Sequence, residues 1–144
     1  MAIKKLQVGM AGLGRVGKLH ATNFLHRTPR ADLVAAFTPD QGELAWGRQN
    51  LEPYGVTLYD DYDKMLGHPG LQAVAIGTAT SVHAEESMKA IDRDLHVLCE
   101  KPLSIDVEVV RTFILRIKYS RLFTFDMCSA GQLSKKPDPS LISR

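Results

Sequence analysis

The 144-residue sequence is short of cysteine, has a single tryptophan, and contains no long apolar run. Its two cysteines, Cys99 and Cys128, have neither the paired spacing of a disulfide framework nor that of a metal site, so reduced, packed thiols in the cytoplasm are expected. No apolar stretch approaches the roughly 18–20 residues needed to span a bilayer, which removes the membrane from the expected partners. The opening MAIKKLQVGMAG goes straight into a strand-like run without the pattern of a cleavable leader. A dense basic run is also missing. Net charge is +2, with seven Lys/Arg and two Asp/Glu from residue 111 onward against 11 and 14 before it. Those late charges are scattered and not interleaved with aromatics, so they mark a change in the character of the chain near Val110 and not a nucleic-acid partner.

What is present is ordinary for a globular domain, 44% hydrophobic and 24% charged, but the order of its segments is specific. LQVGMA (residues 6–11) reads as a strand, followed by a glycine-rich turn and a helix to about Arg27. DLVAAF (32–37) is a second strand, residues 41–50 a second helix, and Val56-Thr57-Leu58 a weak third strand. Asp60 or Asp61 caps a short helix ending near Leu66. LQAVAI (71–76) is nearly continuous in apolar residues, as a parallel strand covered on both faces should be. A helix from about Val82 to Asp92 and a strand ending at Cys99 follow. Asp106 then caps a helix whose Val107, Val110, Ile114 and Ile117 form one apolar stripe, widened by Val109, Phe113 and Leu115. Strands alternating with helices predict right-handed βαβ units, hence a doubly wound α/β domain with a parallel sheet, the Rossmann arrangement. Its expected extent is 1–119. Residues 120–144 are a divergent segment in which LFTFDM offers one more strand, and its polar end is expected to be partly disordered.

Gly12-Leu13-Gly14-Arg15-Val16-Gly17 is G-x-G-x-x-G placed between the first strand and the first helix. In that context Gly12 permits the tight turn, Gly14 admits a pyrophosphate close to the backbone, and Gly17 lets the helix lie on the sheet. The helix start at Arg15 and Val16 offers N–H groups and partial positive charge to phosphates. An acid is expected at the end of the second strand to bind the adenosine ribose; Thr38 stands there instead, with Asp40 two residues on and no arginine directly after it. NAD is therefore the expected cofactor, with NADP left open. An S-adenosylmethionine site is disfavoured by the third glycine.

A further motif lies at the end of the fifth strand, Glu100-Lys101-Pro102 within HVLCEKPLS. By itself it reads as an exposed lysine with a proline closing the strand. Taken together, GLGRVGKLHA (12–21), LVAAFTPD (33–40), GTATSVHAE (77–85) and HVLCEKPLS (96–104) resemble the N-terminal half of the Gfo/Idh/MocA family, named for glucose–fructose oxidoreductase and inositol dehydrogenase.

The resemblance implies that Glu100, Lys101 and Pro102 lie beside the nicotinamide, with Lys101 catalytic, Glu100 positioning it, and the bond into Pro102 often cis. It further implies that Thr78 and His83 line the nicotinamide ribose, although Ala79-Thr80-Ser81 replace the family's usual proline and asparagine, and that His20 serves packing. The family's α+β substrate half and its acid/base histidine are expected to be missing after Val110, whether through a natural short form, a variant transcript or a fragment. All five histidines, His20, His26, His68, His83 and His96, fall in the nucleotide-binding part. Two functions stay open: an oxidoreductase of polyols, sugars or related carbonyls whose substrate site a partner domain completes, and a non-enzymatic NAD(P)-binding or sensing module. Oligomerisation is also open.

Overall fold

Six parallel strands in the order β3-β2-β1-β4-β5-β6 form the sheet in the computed structural model, which describes residues 4–118 and 124–126. The strands are β1 (Leu6–Ala11), β2 (Ala31–Phe37), β3 (Thr57–Tyr59), β4 (Ala73–Ile76), β5 (His96–Cys99) and β6 (Thr124–Asp126). The helices between them are α1 (Arg15–His26), α2 (Gln41–Asn50), α3 (Tyr62–Leu66), α4 (His83–Ile91) and α5 (Val107–Lys118). Strand order reverses between β1 and β4, which makes the fold doubly wound as expected.

Each face of the sheet has its own apolar layer. On one, Ala21 and Phe24 of α1 and Trp46 of α2 pack with Val8, Met10, Leu33, Leu51 and Val56. On the other, Tyr62, Met65 and Leu66 of α3, Ile91 of α4 and Phe113 of α5 pack with Val74, Ile76 and Val97. β4 runs between the layers, and all four of its residues are buried, which accounts for its uninterrupted apolar sequence.

Several boundaries move for local reasons. The third strand begins at Thr57 instead of Val56, because Val56 is buried and turns its N–H back to the Leu51 carbonyl. Asp61, not Asp60, caps α3, its carboxylate accepting the Lys64 N–H at 2.8 Å. Asp106 takes the Glu108 N–H at 2.8 Å, as anticipated for α5.

The apolar arc of α5 is only partly covered. Among its described side chains Phe113 is buried, while Val107 and Ile114 are exposed, and α5 packs against α4. Ile117, Cys128 and the polar end of the chain lie outside the described side chains; within the anticipated LFTFDM strand, Thr124–Asp126 pairs in parallel with β5.

Candidate functional site

The sheet register gathers the candidate residues on one edge. Phe37 pairs with Ala11, Ala11 with Ile76, and Ile76 with Cys99. The ladder continues one residue further, with Gly12 N–H donating to the Phe37 carbonyl at 2.7 Å, Gly77 to Ala11 at 2.9 Å and Glu100 to Ile76 at 2.9 Å. Thr38, the glycine turn, Gly77-Thr78 and Glu100-Lys101-Pro102 therefore all leave the sheet at its carboxyl end, around the point where strand order reverses. Ligands bind doubly wound sheets in that crevice.

Two glycines make the turn possible. Gly12 has φ +85°, and a Cβ there would come within 2.9 Å of the Gly77 backbone and of Thr78. A Cβ on Gly17 would collide with the carbonyl oxygen of Gly12, so only glycine lets α1 cross so close to the turn. At the start of α1 no side chain caps Gly14 and no acid sits in the first turn, which leaves the helix end free for an anion.

In front of the turn lies a cleft of about 570 Å³ lined by Gly12, Gly14, Thr38, Asp40, Glu43 and Thr78, among others. Thr38 is almost fully buried, 1% exposed, and its hydroxyl donates to Glu43 Oε2. The same oxygen accepts the Leu13 N–H at 3.2 Å, tying α2 to the glycine turn. Further along, the Thr78 hydroxyl donates to the Glu86 carboxylate. Burial pushes the Glu86 carboxyl above the usual carboxylate range, and the Thr78 hydrogen bond opposes that shift.

His83 is buried, with Nδ1 2.9 Å from the Pro102 carbonyl oxygen and Nε2 3.0 Å from that of Thr78. It ties the end of β4 to the segment after β5. The Lys101–Pro102 peptide is cis, as the resemblance implied. Glu100 accepts a hydrogen bond from His20 Nε2 at 2.9 Å and from the Lys101 N–H at 3.2 Å. The His20 bond, chiefly, holds the Glu100 carboxyl below its usual range. Lys101 and Pro102 are exposed.

The structure thus brings Gly12, Gly14, Thr38 and Thr78 together in one cleft. Arg15 and Val16 are exposed at the start of α1, and Glu100, Lys101 and Pro102 stand one strand over, after β5. His83 spans the two regions beneath the surface and does not line the cleft. Sequence reasoning missed Glu43, Glu86 and the tie from His20 to Glu100. For Glu43 a signal existed in the Asp40–Glu43 spacing, which reads as a helix start; for the other two no local pattern marks the contact. Among the described residues no group of His, Cys, Asp or Glu is placed to hold a metal ion.

Fold, glycine turn and cleft together define a dinucleotide-binding domain of the Rossmann type. Residues 6–119 match the GFO_IDH_MocA group, the oxidoreductase family with an NAD-binding Rossmann fold, and the chain belongs to that family. Over 137 residues it is 30% identical to the NAD(+)-dependent scyllo-inositol 2-dehydrogenase of Bacillus subtilis, covering 94% of this chain and 38% of that one. Over 121 residues it is 31% identical to the myo-inositol 2-dehydrogenase of Thermotoga maritima, covering 83% and 35%. The apo scyllo-inositol dehydrogenase of Lactobacillus casei superposes with a TM-score of 0.81 at 32% identity, over 88% of this chain and 37% of the other. A structure of scyllo-inositol dehydrogenase from the same organism with NAD(H) and scyllo-inositol bound gives 0.79 at 32% identity, over 86% and 36%. The chain therefore spans little more than a third of the length of these relatives.

Proposed function

We propose that this domain holds NAD for hydride transfer to or from a polyol, a sugar or a related carbonyl compound. The supporting observation is the register that sends the segments after β1, β4 and β5 off one sheet edge. In this reading Gly12, Gly14, Arg15, Val16 and Gly17 hold the pyrophosphate, and Thr38 contributes at the adenosine ribose. Thr78, His83 and the Glu100-Lys101-Pro102 segment hold the nicotinamide end. The uncapped start of α1 fits a pyrophosphate. The bound nicotinamide supplies the hydride chemistry.

Lys101 is the residue assigned to the reacting oxygen. Its ammonium would stabilise negative charge on a substrate alkoxide and hold or release the proton there. Glu100 and His83 serve as positioning residues: Glu100 bonds the Lys101 N–H, and His83 meets the Pro102 carbonyl. A polyol substrate is supported by the inositol dehydrogenases among the relatives. A substrate half, in the same protein or a partner, is needed to keep water from the reacting atoms.

The exposed apolar residues Val107, Ile114 and Leu115 of α5 support an oligomer or a partner half, and nothing in the charge pattern calls for nucleic acid. Cys99, buried at the end of β5, agrees with a cytoplasmic setting. Among the described residues no helix is long and apolar enough to cross a membrane.

Calorimetric titration of the purified chain with NADH, followed by a dehydrogenase assay on inositols, tests the reading. Saturable binding with turnover supports it in full. Binding without turnover even when a substrate half is supplied favours the sensing module, and absence of binding by a folded chain overturns the cofactor site.

A further inference from the structure

β2 ends at Phe37, and Thr38 stands where dinucleotide-binding domains carry an acid for the adenosine ribose. A carboxylate reaches that place from elsewhere. Glu43 lies in the first turn of α2, half-buried, with Oε2 accepting from the Thr38 hydroxyl at 2.5 Å and from the Leu13 N–H at 3.2 Å. Its other oxygen, Oε1, lies 3.4 Å from where a Cβ on Gly14 would be. The carboxylate therefore borders both the glycine turn and the end of β2, on the wall of the cleft.

The local sequence makes this placement a departure. Asp40-Gln41-Gly42-Glu43 has the spacing of a capping box, in which the acid at the third helical position reaches back to the N-cap N–H. Asp40 makes its half, its carboxylate accepting the Glu43 N–H at 2.8 Å. The return half is absent. The Asp40 N–H is directed to the Thr38 hydroxyl at 3.3 Å, and the Glu43 side chain goes to the glycine turn.

We propose that Glu43 reads the adenosine ribose in this chain and sets a preference for NAD over NADP; this rests on the cofactor reading given above. A carboxylate offers about four acceptor positions. Leu13 and Thr38 occupy two, both on Oε2, which leaves Oε1 for the ribose hydroxyls. A 2′-phosphate brought to the same place meets Glu43 and Asp40, and no Lys or Arg occurs between Thr38 and Glu43 to offset the repulsion. Thr38 then acts as a positioning residue: its buried hydroxyl aims the carboxylate.

The test is calorimetric titration of the full chain and of Glu43→Gln with NADH and with NADPH, each protein checked for folding by its thermal melt. The wild type is expected to favour NADH. Glu43→Gln is expected to shift the ratio of the two affinities toward NADPH by roughly tenfold or more, since a charge-assisted hydrogen bond is lost and a repulsion removed. Adding Thr38→Asp, which restores an acid at the end of β2, should return the preference to NADH. Thr38→Val, which keeps the bulk and removes the hydroxyl that aims Glu43, provides a second variant if Glu43→Gln does not fold; it should narrow the preference for NADH, and an unchanged ratio overturns the assignment. If the wild type binds NADH and Glu43→Gln keeps the same ratio, or loses both ligands equally, Glu43 is not the reader although the cofactor site stands. If the folded wild type binds neither, the site and this assignment fall together.

Discussion

The His20 imidazole and the Glu100 carboxylate meet at 2.9 Å across 80 positions of sequence, joining α1 to the segment that presents Lys101. Glu100 is held below the usual carboxylate range first by this bond, then by the Lys101 N–H, with burial acting against both. A carboxylate whose folded value is depressed stabilises the fold above its unfolded value, and that contribution disappears as pH falls through the folded value. His20→Leu keeps the apolar bulk and removes the donor. It should cost about 1 kcal/mol at neutral pH, and the difference from wild type should shrink below about pH 4. Thermal melts between pH 3 and pH 7 measure it, and a pH-independent difference would show that only packing was lost.

Two glycines of the turn should fail in different ways. Gly14 has φ −66° and ψ −169°, open to any residue, and a Cβ there meets only Glu43 Oε1, at 3.4 Å. Gly14→Val should therefore fold with a nearly unchanged melting temperature and lose NADH affinity roughly a hundredfold or more, because the branched side chain stands where the pyrophosphate must approach. Gly17→Ala places its Cβ against the Gly12 carbonyl, so it should destabilise the fold itself. Melting curves and NADH titrations of both variants check the contrast. Equal loss of stability in both would mean that the turn is structural throughout.

How legible this was in the sequence follows from the range of each interaction. β1 and α2 were read with the bounds they have, because apolar periodicity and turn residues are local signals. The glycine turn was legible for the same reason. For α5, a stripe at helical spacing records amphipathicity without saying what covers it; among its described side chains Phe113 is the buried one. Glu43 was hidden by a spacing that already had a local explanation, the capping box, whose return bond the fold diverts. His83 was matched to a cofactor-lining position, yet its ring lies between two backbone carbonyls, a setting that only the packing of β4 beside β5 creates. Contacts between segments after different strands depend on sheet order, which no single segment encodes.

Lys101 is exposed, and its backbone is held by Glu100 and, through Pro102, by His83. If its task is with the reacting oxygen, Lys101→Ala should leave NADH affinity within about twofold and abolish hydride transfer in any assembly that turns over. Lys101→Arg keeps the charge but changes its shape and reach, so it should restore only part of the rate. Titration and steady-state kinetics separate the two effects. A large loss of NADH affinity in the alanine variant would reassign Lys101 to cofactor binding.

Glu86 provides a test with the opposite sign. Burial raises its carboxyl, so the folded protein holds that proton more tightly than the unfolded chain does. Its contribution to stability is greatest below the unfolded carboxylate value and declines as pH rises through the folded value. Glu86→Gln keeps an oxygen for the Thr78 hydroxyl and removes the charge that must otherwise be buried. The variant should melt roughly 2–5 °C above wild type near pH 8, with the gain fading as pH falls toward about 4. A loss of stability at pH 8 would instead mean that the ionised carboxylate is what holds Thr78, and with it the end of β4, in place.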